Sequence, residues 1–512
     1  MKQHGIVILD FGSQYNRLIA RRIREMRVYA EVIPYNSSLE DIVSRRPKGI
    51  ILSGGPSSVH EDRVHLISKD IFEINVPVLG ICYGMQLISH IFGGLVNKGE
   101  QGQYGQCDFI VDDPNDHLLR GMPEKSTVWM SHFDEVNKKP EDFKIVGHTA
   151  HCVAALSCED RNIYAVQFHP EVSHTVYGTT ILNNFVFGIC RCEQNWEFDN
   201  FIQKSIQEIR TIVGDKKVIL GLSGGVDSSV AAVLIHKAIG DALTCIFIDT
   251  GLLRKDEAKN IMDTYGTNYH MDIRCFEAKE RFLSRLEGVS DPEEKRKIVG
   301  REFVSVFQEE ATKIPEVAFL AQGTIYPDVI ESTSIKAPSA MIKSHHNVGG
   351  LPEKMHLKLL EPLRNLFKDE VRKVGSNLGI PKGIIYRHPF PGPGLGIRIL
   401  GEVTREKVAI LQAADAIFIE ELQGHKLYDK VSQAFVVLLP VKSVGVMGDV
   451  RTYEYTAVLR AANTIDFMTA TWSRLPYDFL EKVSGTIINK VKGINRVTYD
   501  ISSKPPATIE WE

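Results

Sequence analysis

A chain of 512 residues is too long for one ordinary domain, and its length predicts about three. Hydrophobic residues make up 43% of it and charged residues 24%, which is typical of proteins with buried cores. The net charge of −4 argues against a binder of nucleic acids or membrane surfaces, because such proteins are usually basic. The N-terminus lacks a signal-peptide pattern, and no run of about 18 apolar residues could span a membrane.

The eight cysteines are scattered along the chain, and the only close pair is Cys190 and Cys192. No second pair stands at the spacing that a zinc site requires. We therefore expect reduced thiols, which are typical of a protein that works in the cytoplasm.

The first third of the chain alternates short apolar runs with amphipathic stretches. Strands are predicted at 6–9, 49–52 and 76–81, and helices at 14–26 and 85–92. Strands that alternate with helices favour a mostly parallel sheet. From about residue 105 to 170 the pattern changes to short strands separated by turns, for example at 127–130 and 163–168.

A second strand–helix series follows a polar linking helix predicted at 194–213. Its strands are predicted at 217–222, 244–248 and 316–321. The segment 387–396 is rich in proline and glycine, so it can be neither a helix nor a central strand and indicates a domain boundary. The last part is predicted to contain a strand at 434–439, a helix near 456–468 and a closing strand at 497–501.

The predicted fold class is α/β, with two mostly parallel-sheet α/β domains and a smaller α+β domain at the C-terminus. The predicted domains cover residues 5–194, 195–387 and 388–512. No internal repeat or low-complexity tract interrupts them.

The first candidate site is the sequence Gly80-Ile-Cys82-Tyr-Gly84, between a predicted strand and a predicted helix. This is the pattern of a nucleophile elbow, in which small flanking residues permit a sharp turn that exposes the nucleophile. A sulfur at a helix N-terminus is favoured as the thiolate. A buried structural cysteine fits the pattern alone equally well.

Two further segments extend this site. Phe168-His-Pro-Glu171 follows a predicted strand and can present His169 as a base oriented by Glu171. Glycine N–H groups in Ser53-Gly-Gly-Pro56, together with the N–H of Tyr83, could stabilise an oxyanion. The simpler interpretations are a turn with a structural histidine and a tight Gly-Gly-Pro turn.

The motifs SGGP, GICYGMQ and QFHPEV occur in the order and spacing of class I glutamine amidotransferases, a family that residues 5–194 resemble. Such domains hydrolyse glutamine to glutamate and ammonia through a glutamyl thioester. The resemblance implies that Cys82 is the nucleophile, His169 the general base and Glu171 the residue that orients it. It also implies an oxyanion hole formed by Gly55 and Tyr83.

The second candidate site is a loop that again joins a strand to a helix. We call residues 223–229 the phosphate loop; its members are Ser223, Gly224, Gly225, Val226, Asp227, Ser228 and Ser229. Small residues leave backbone N–H groups accessible and the helix adds its positive end, so the loop can bind an anion. Asp227 is expected near Mg²⁺ or as an acceptor that shapes the loop. An ordinary glycine-rich turn with a helix cap is the alternative.

The pattern S-G-G-x-D-S-S resembles the N-type ATP pyrophosphatases, which adenylate a substrate oxygen and release pyrophosphate. Adenylation turns a poor leaving oxygen into AMP, which ammonia can displace. In such a sheet nucleotides bind at the carboxyl ends of the strands. We therefore expect Ile248 near the adenine and residues 322–328 in the wall of the site.

Segments 343–347, 387–396 and 504–512 resemble the GMP synthase family, and with the two motif sets they extend the resemblance over essentially the whole chain. The resemblance implies glutamine, XMP and MgATP as substrates, with Mg²⁺ accompanying ATP. It implies GMP, AMP, pyrophosphate and glutamate as products. It also implies a homodimer formed through the C-terminal domain.

The residues that bind XMP are the least defined part of this comparison. The family pattern assigns Lys504 to the phosphate of XMP and Glu510 to a polar group of the nucleotide. Arg254 is a further candidate, with a solvated surface arginine as the alternative. Lys343, His345 and His346 are hypothesised to lie on a lid over the site, and Phe133, where the family usually has glycine, predicts a different turn.

Two other functions compete with this interpretation. A related amidotransferase–adenylase could make NAD or thiolate tRNA. An enzyme that acts on tRNA is expected to have a basic surface and often a catalytic cysteine pair, and the composition of this chain supports neither. A regulatory protein built on degenerate catalytic domains would have lost key residues. Cys82, His169, Glu171 and the whole phosphate loop are present.

Overall fold

The computed structural model describes residues 4–13, 15–59, 67–333, 357–464 and 469–512. The chain forms two compact units, Met1–Asn200 and Phe201–Glu512. The division into three domains at 195 and 388 stays a prediction. The hypothesised lid residues Lys343, His345 and His346 lie outside the described residues.

The first unit is built on one mixed sheet with the strand order β2-β1-β3-β4-β9-β8-β7-β5-β6 in the described part of the chain. The strands are β1 (Ile6–Asp10), β2 (Ala30–Pro34), β3 (Gly49–Leu52), β4 (Val78–Ile81), β5 (Leu95–Val111), β6 (Lys125–Lys138), β7 (Lys144–His148), β8 (Val153–Cys158) and β9 (Ile163–Val166). Pairing is parallel from β2 to β9 and antiparallel beyond it. The predicted change of pattern is present, but it begins at Leu95 rather than at about 105, and β5 and β6, with 17 and 14 residues, are long strands rather than short ones.

Helices cover the parallel part of this sheet. They are α1 (Asn16–Glu25), α2 (Leu39–Ser44), α3 (Tyr83–Ile91) and α4 (Gly178–Asn183). Strands β3 and β4 are buried at every residue, as expected for parallel strands covered on both faces. Leu87 and Ile88 of α3 pack in the same core cluster as Ile50 and Leu52 of β3, which holds the start of α3 against the sheet.

The predicted linking helix begins later than its sequence pattern suggests. Helix α5 spans Phe198–Val213 rather than 194–213. The missing residues belong to the first unit, because the Asn195 side chain donates to the carbonyl of His4 at 2.7 Å and the Trp196 N–H donates to Arg27 at 2.9 Å. These bonds hold Asn195 and Trp196 in the first unit, although polar periodicity alone would place them in the helix.

The second unit contains a fully parallel sheet with the order β12-β11-β10-β13-β14 among its described residues. Its strands are β10 (Lys217–Gly221), β11 (Leu243–Asp249), β12 (Asp272–Glu277), β13 (Val317–Ala321) and β14 (Lys358–Leu360). The helices around it are α6 (Val226–Ile239), α7 (Glu257–Ile261), α8 (Lys279–Leu286), α9 (Pro292–Ala311), α10 (Tyr326–Thr333), α11 (Lys368–Asn377) and α12 (Lys382–Ile385). All strands point one way, so the loops at their carboxyl ends meet along one edge.

A third, smaller sheet completes the second unit. Its strands are β15 (Gln433–Met447), β16 (Val450–Asn463), β17 (Thr471–Trp472) and β18 (Ile494–Tyr499), and its helices are α13 (Arg405–Gly424) and α14 (Tyr477–Lys490). Strand β16 pairs with β15 and β17 antiparallel and with β18 parallel. One continuous hydrophobic core reaches from Ile246 of the parallel sheet to Leu438 of this one.

The predicted helix near 456–468 is wrong for the residues that the structure describes there. That stretch lies in β16. Ala457 and Leu459 pack in the large core, whereas Val458 and Ala462 pack in a second cluster on the opposite face. Burial on both faces removes the polar–apolar alternation of a strand and leaves an alanine- and leucine-rich run that looks helical.

The proline- and glycine-rich segment 387–396 is neither a regular α-helix nor a strand, as predicted; it ends in a single 3₁₀ turn, Gly394–Ile397. Gly394 has φ +62°, and a side chain there would collide with the carbonyl of Leu252. The N–H of Leu395 donates to the same carbonyl at 2.7 Å. The segment therefore fixes the loop that follows β11.

His388, in the same segment, is buried as a neutral imidazole. Its Nε2–H donates to the carbonyl of Tyr428 at 3.0 Å, and its Nδ1 accepts from the N–H of Ala434 at 3.2 Å. Protonation at Nδ1 would break the second bond. Burial lowers the pKa of His388 to about 4, and the positive charge of Arg254 acts in the same direction.

We expect this histidine to make the second unit sensitive to acid. The unfolded chain takes up the proton near the ordinary pKa of 6.5 and the folded chain only near 4, so stability falls as the pH decreases between these values. The free energy of unfolding should be about 2 kcal/mol lower at pH 5 than at pH 7 from this group. Urea unfolding of the wild type and His388→Asn at both pH values measures it. An equal decrease in the two proteins would contradict the assignment.

In the described part of the chain, no helix combines the length and the apolar character needed to cross a membrane.

Two candidate active sites

Cys82 lies between β4 and α3 with φ +55°, a backbone conformation that residues other than glycine rarely adopt. The flanking glycines permit it. A side chain on Gly84 would collide with the carbonyl of Leu52, and one on Gly80 would come within 2.7 Å of Gly84. The predicted strand–turn–helix geometry at Cys82 is therefore present, and it is the geometry of a nucleophile elbow.

His169 and Glu171 form a buried pair beside Cys82. The imidazole Nδ1 lies 2.7 Å from Oε1 of Glu171, and the two side chains are 3% and 0% exposed. Since Nδ1 is held by the carboxylate, the other ring nitrogen is left to exchange a proton with the Cys82 thiol. Thr175 Oγ1 donates to the carbonyl of His169 at 2.6 Å and fixes the turn.

The protonation of His169 depends on its two neighbours. Burial by itself lowers the pKa of His169, but the negative charges of Glu171 and of the Cys82 thiolate outweigh it and raise the pKa well above 6.5. Both negative charges favour the imidazolium form of His169. The three residues are therefore arranged as a cysteine nucleophile, a base that exchanges its proton and a carboxylate that holds the base.

The expected oxyanion residues lie around this cysteine. Tyr83 is the first residue of α3, and N–H groups in the first turn of a helix have no acceptor within it. Gly55 packs against Phe11, whose ring lies 5.4 Å from that of Tyr83. Gly54 is nearer to the reacting groups, since an added methyl group would lie 3.2 Å from Cε1 of His169.

Phe133 does not form the different turn that its replacement of glycine predicted. It lies within β6, where His132 is buried and Phe133 is 40% exposed. The register against β5 shifts between Lys98 and Gln103, so Phe133 faces a β-bulge. Extended backbone accommodates the large side chain, and Ser131 beside it still presents its carbonyl to the Cys82 sulfur at 3.7 Å.

The phosphate loop is held in shape by its own serines. Ser223 Oγ lies 3.0 Å from Ser228 Oγ, and Ser229 Oγ donates to the carbonyl of Gly225 at 2.8 Å. Gly224 has φ +73°, and Gly225 precedes the first residue of α6. The loop therefore lies at a helix N-terminus with small residues around it, which is the arrangement of an anion site.

Asp227 and its surroundings form the polar side of this loop. Its Oδ2 pairs with Nζ of Lys368, the first residue of α11. Its Oδ1 is buried and accepts no hydrogen bond from any residue that the structure describes. The buried Oγ1 of Thr324 neither donates nor accepts a hydrogen bond among those residues. Gly323 packs against the Asp227 backbone, so residues 322–324 line the loop as expected. An oxygen without a partner in this position fits a hard cation such as Mg²⁺.

Ile248 lies one residue before the end of β11, on the edge where nucleotides bind in such sheets. Its side chain is 3% exposed and packs in the core with Ala278 and Phe282. A contact between Ile248 and adenine would therefore involve its backbone. Its role stays a prediction.

Arg254 is not a solvated surface arginine. Its side chain is 14% exposed, with Nε 3.2 Å from Oδ2 of Asp415. Its terminal nitrogen donates to the carbonyl of Ala434 at 3.3 Å, and its guanidinium lies 5.3 Å from the ring centroid of Phe390. It also lines a cavity of about 220 Å³ that Gly224 and Arg387 border.

The C-terminal tail, residues 504–512, is packed rather than frayed. Glu510 accepts two hydrogen bonds from the fully buried Arg398, at 2.8 and 3.1 Å, and one from Gln433 at 2.7 Å. Lys504 pairs through its backbone with Ala470. Arg398, like Arg254, lies over Phe390, so the structure brings Glu510 and Arg254 to the same region of the second unit.

Three parts of the chain match models of known protein families. The family model for class I glutamine amidotransferases matches residues 7–189, that for NAD synthase matches 196–280, and that for the GMP synthase C-terminal domain matches 420–511. A glutamine-hydrolysing GMP synthase of Fusobacterium nucleatum is 65% identical over 512 residues, which cover 100% of both chains. Those of Spiroplasma kunkelii and Carboxydothermus hydrogenoformans are 58% and 56% identical, with 99% of each chain covered.

This chain belongs to the glutamine-hydrolysing GMP synthase family. Similarity over the full length rules against the alternatives of an NAD-forming or tRNA-thiolating relative, although the match to the NAD synthase model shows the shared ATP-using domain. In this family member the Cys82–His169–Glu171 geometry is intact, which argues against a degenerate, purely regulatory protein.

Several polar residues near the second site of this GMP synthase family member escaped sequence analysis. They are Glu257, Lys368, Arg398, Asp415 and Gln433. Arg387 was given no role of its own, although it begins segment 387–396, which resembles the family. The other five are isolated charges or amides outside the recognised motifs, and most of them contact residues more than a hundred positions away.

Proposed function

We propose that this chain makes GMP from XMP, with glutamine as the nitrogen donor and MgATP as the activating substrate. The observation that supports it best is a full-length match to GMP synthases in a chain that has both the set Cys82, His169 and Glu171 and the complete phosphate loop. The division of labour follows the two sites. One releases ammonia, and the other activates the carbon that receives it.

At the first site Cys82 attacks the carboxamide carbon of glutamine. Gly55 and Tyr83 stabilise the oxyanion, and the imidazolium of His169 gives its proton to the departing ammonia. A glutamyl thioester remains on Cys82. His169 then takes a proton from water, which hydrolyses the thioester to glutamate and restores the thiol. Glu171 keeps the ring oriented throughout, as the 2.7 Å contact supports.

At the second site the 2-oxygen of XMP attacks the α-phosphorus of ATP, and pyrophosphate leaves. The N–H groups of the phosphate loop hold the departing phosphates, with Asp227 as the residue that would hold Mg²⁺. Bound Mg²⁺ would neutralise charge on those phosphates. Ammonia then displaces AMP from C2 to give GMP. Arg254, Lys504 and Glu510 are proposed to hold XMP.

Two further parts of the proposal concern the whole protein. The extension of β15 and β16 exposes apolar side chains, namely Val441, Val444, Val446, Val450 and Tyr453. Such a patch supports a homodimer formed through the C-terminal domain from about residue 388. The eight free cysteines support a place in the cytoplasm.

The test is direct. Purified protein is incubated with XMP, MgATP and glutamine while XMP consumption, GMP, AMP and pyrophosphate are followed. Equal amounts of GMP, AMP and pyrophosphate are expected, and no GMP should form when XMP or ATP is omitted. ATP cleavage and glutamine hydrolysis without GMP would overturn the assignment of the acceptor but keep the two reaction types.

A further inference from the structure

Glu257 lies at a junction between the two proposed nucleotide positions of the second unit. It is the first residue of α7 and is 7% exposed. Its Oε1 accepts from a terminal nitrogen of Arg387 at 2.7 Å, and its Oε2 accepts from the backbone N–H of Arg254 at 3.0 Å. One carboxylate therefore binds two segments that are distant in sequence and that also contact each other through Arg254 and the ring of Phe390.

The Arg387 end of this junction reaches the phosphate loop. The second terminal nitrogen of Arg387 donates to the carbonyl of Gly224 at 2.6 Å. That carbonyl and the N–H of Gly225 belong to one planar trans peptide and point in opposite directions. Holding the carbonyl therefore sets the direction of the Gly225 N–H, which donates to Ser223 Oγ within the loop at 3.3 Å.

The Arg254 end reaches the C-terminal part of the unit. The Arg254 side chain binds Asp415 of α13 at 3.2 Å and the carbonyl of Ala434 of β15 at 3.3 Å. Gln433, the neighbour of Ala434, binds Glu510, a residue proposed to contact XMP. A continuous series of polar contacts thus runs from the phosphate loop through Glu257 to the proposed XMP residues.

The charges at this junction favour a response to ligands. Glu257 is the sole acid among the described residues that line the 220 Å³ cavity, beside Arg254, Lys255 and Arg387. A phosphate group near Arg387 would compete with Glu257 for its guanidinium, whereas Glu257 holds Arg254 through the backbone N–H. Because Glu257 holds both, a change at one arginine alters the contact available to the other.

We propose that Glu257 is a positioning residue that couples the two nucleotide sites, so that bound XMP tightens the binding of ATP by ordering Arg387 and the phosphate loop. This proposal rests on the proposed function, since it takes XMP and ATP as the two ligands. Glu257 contacts neither reacting group. It acts through Arg387 and Arg254.

The experiment measures how much XMP changes the affinity for an ATP analogue. The intact protein is titrated by calorimetry with MgATP whose α,β-bridging oxygen is replaced by methylene, with and without saturating XMP, because this analogue cannot transfer AMP. In the wild type we expect XMP to lower the dissociation constant of the analogue about tenfold. In Glu257→Gln, which keeps the size of the side chain, the dissociation constant without XMP should be only about one to two times that with XMP. We call this quotient the ratio.

Two further variants separate coupling from a structural role. Glu302→Gln breaks a comparable pair with Arg281, also at 2.7 Å, away from the site and should keep the wild-type ratio. Arg387→Met should lose the coupling, and adding Glu257→Gln to it should reduce the ratio no further. If Glu257 had only a structural role, Glu257→Gln would lower the melting temperature and weaken the binding of both ligands, while the ratio stayed at its wild-type value.

The outcomes distinguish the two proposals. If the wild type makes GMP and Glu257→Gln keeps the full effect of XMP on the analogue, the coupling role of Glu257 is overturned and the proposed function stands. A wild type that makes GMP but shows no effect of XMP also overturns the coupling. A wild type that binds the analogue but makes no GMP from ammonium overturns the proposed function itself.

Discussion

Cys82→Ala is expected to lose glutamine-dependent GMP formation by at least about 1000-fold while ammonium-dependent formation persists. Alanine removes the sulfur that attacks glutamine, so His169 and Glu171 have no thiol to act on. The second site needs only ammonia, which external ammonium supplies. GMP is measured with glutamine and, separately, with ammonium at alkaline pH, where more of it is in the reactive neutral form.

The matched control is Cys158→Ala. Cys158 is also a buried free cysteine of the first unit, 6% exposed, but it is the last residue of β8 and does not belong to the strand–helix turn that carries Cys82. It should retain both activities. Glutamine use that survives in Cys82→Ala would remove Cys82 from the mechanism. Loss of both activities in a folded Cys82→Ala protein would contradict separate sites.

Asp227→Asn is expected to show the opposite pattern, with GMP formation from glutamine and from ammonium both reduced by at least about 100-fold. Asparagine keeps the size of the side chain but removes the charge that would hold Mg²⁺ and that pairs with Lys368. Adenylation of XMP should therefore fail before the nitrogen source matters. Pyrophosphate release from ATP in the presence of XMP and ammonium measures this step.

Asp241→Asn provides the control, because Asp241 is an exposed aspartate beyond the other end of α6. It should leave pyrophosphate release unchanged. Melting temperatures of the two variants close to that of the wild type would show that the loss at Asp227 is chemical. A fully active Asp227→Asn protein would mean that Asp227 only shapes the loop and that Mg²⁺ is held elsewhere.

Much of both sites was predictable because their central features are local. The turn at Cys82 requires glycine two positions away on each side, and the sequence has Gly80 and Gly84 there. The phosphate loop likewise carries its own shaping groups, since Ser223, Ser228 and Ser229 bond within the loop. Contacts between residues only a few positions apart depend on the local sequence, so the sequence pattern predicts them correctly.

Packing on both faces explains the main error in secondary structure. In β16 the large core covers Ala457 and the smaller cluster covers Val458, so successive residues are apolar. Alanine and leucine favour helices when packing does not decide, but here the backbone of β16 bonds to three neighbouring strands. The neighbours, which the local sequence does not reveal, determine the outcome.

The sequence by itself determined the family resemblance, the nucleophile elbow and the phosphate loop, because each depends on residues that stand close together in the chain. Tertiary structure alone decided which distant charges complete the second site. Arg387 reaches Gly224 across 163 positions and Lys368 reaches Asp227 across 141. The local pattern around an isolated charge does not indicate its partner. In the fold Arg387 is largely buried, where an unpaired charge is unfavourable, so its partners lie within hydrogen-bond reach, and the start of α11 brings Lys368 to Asp227.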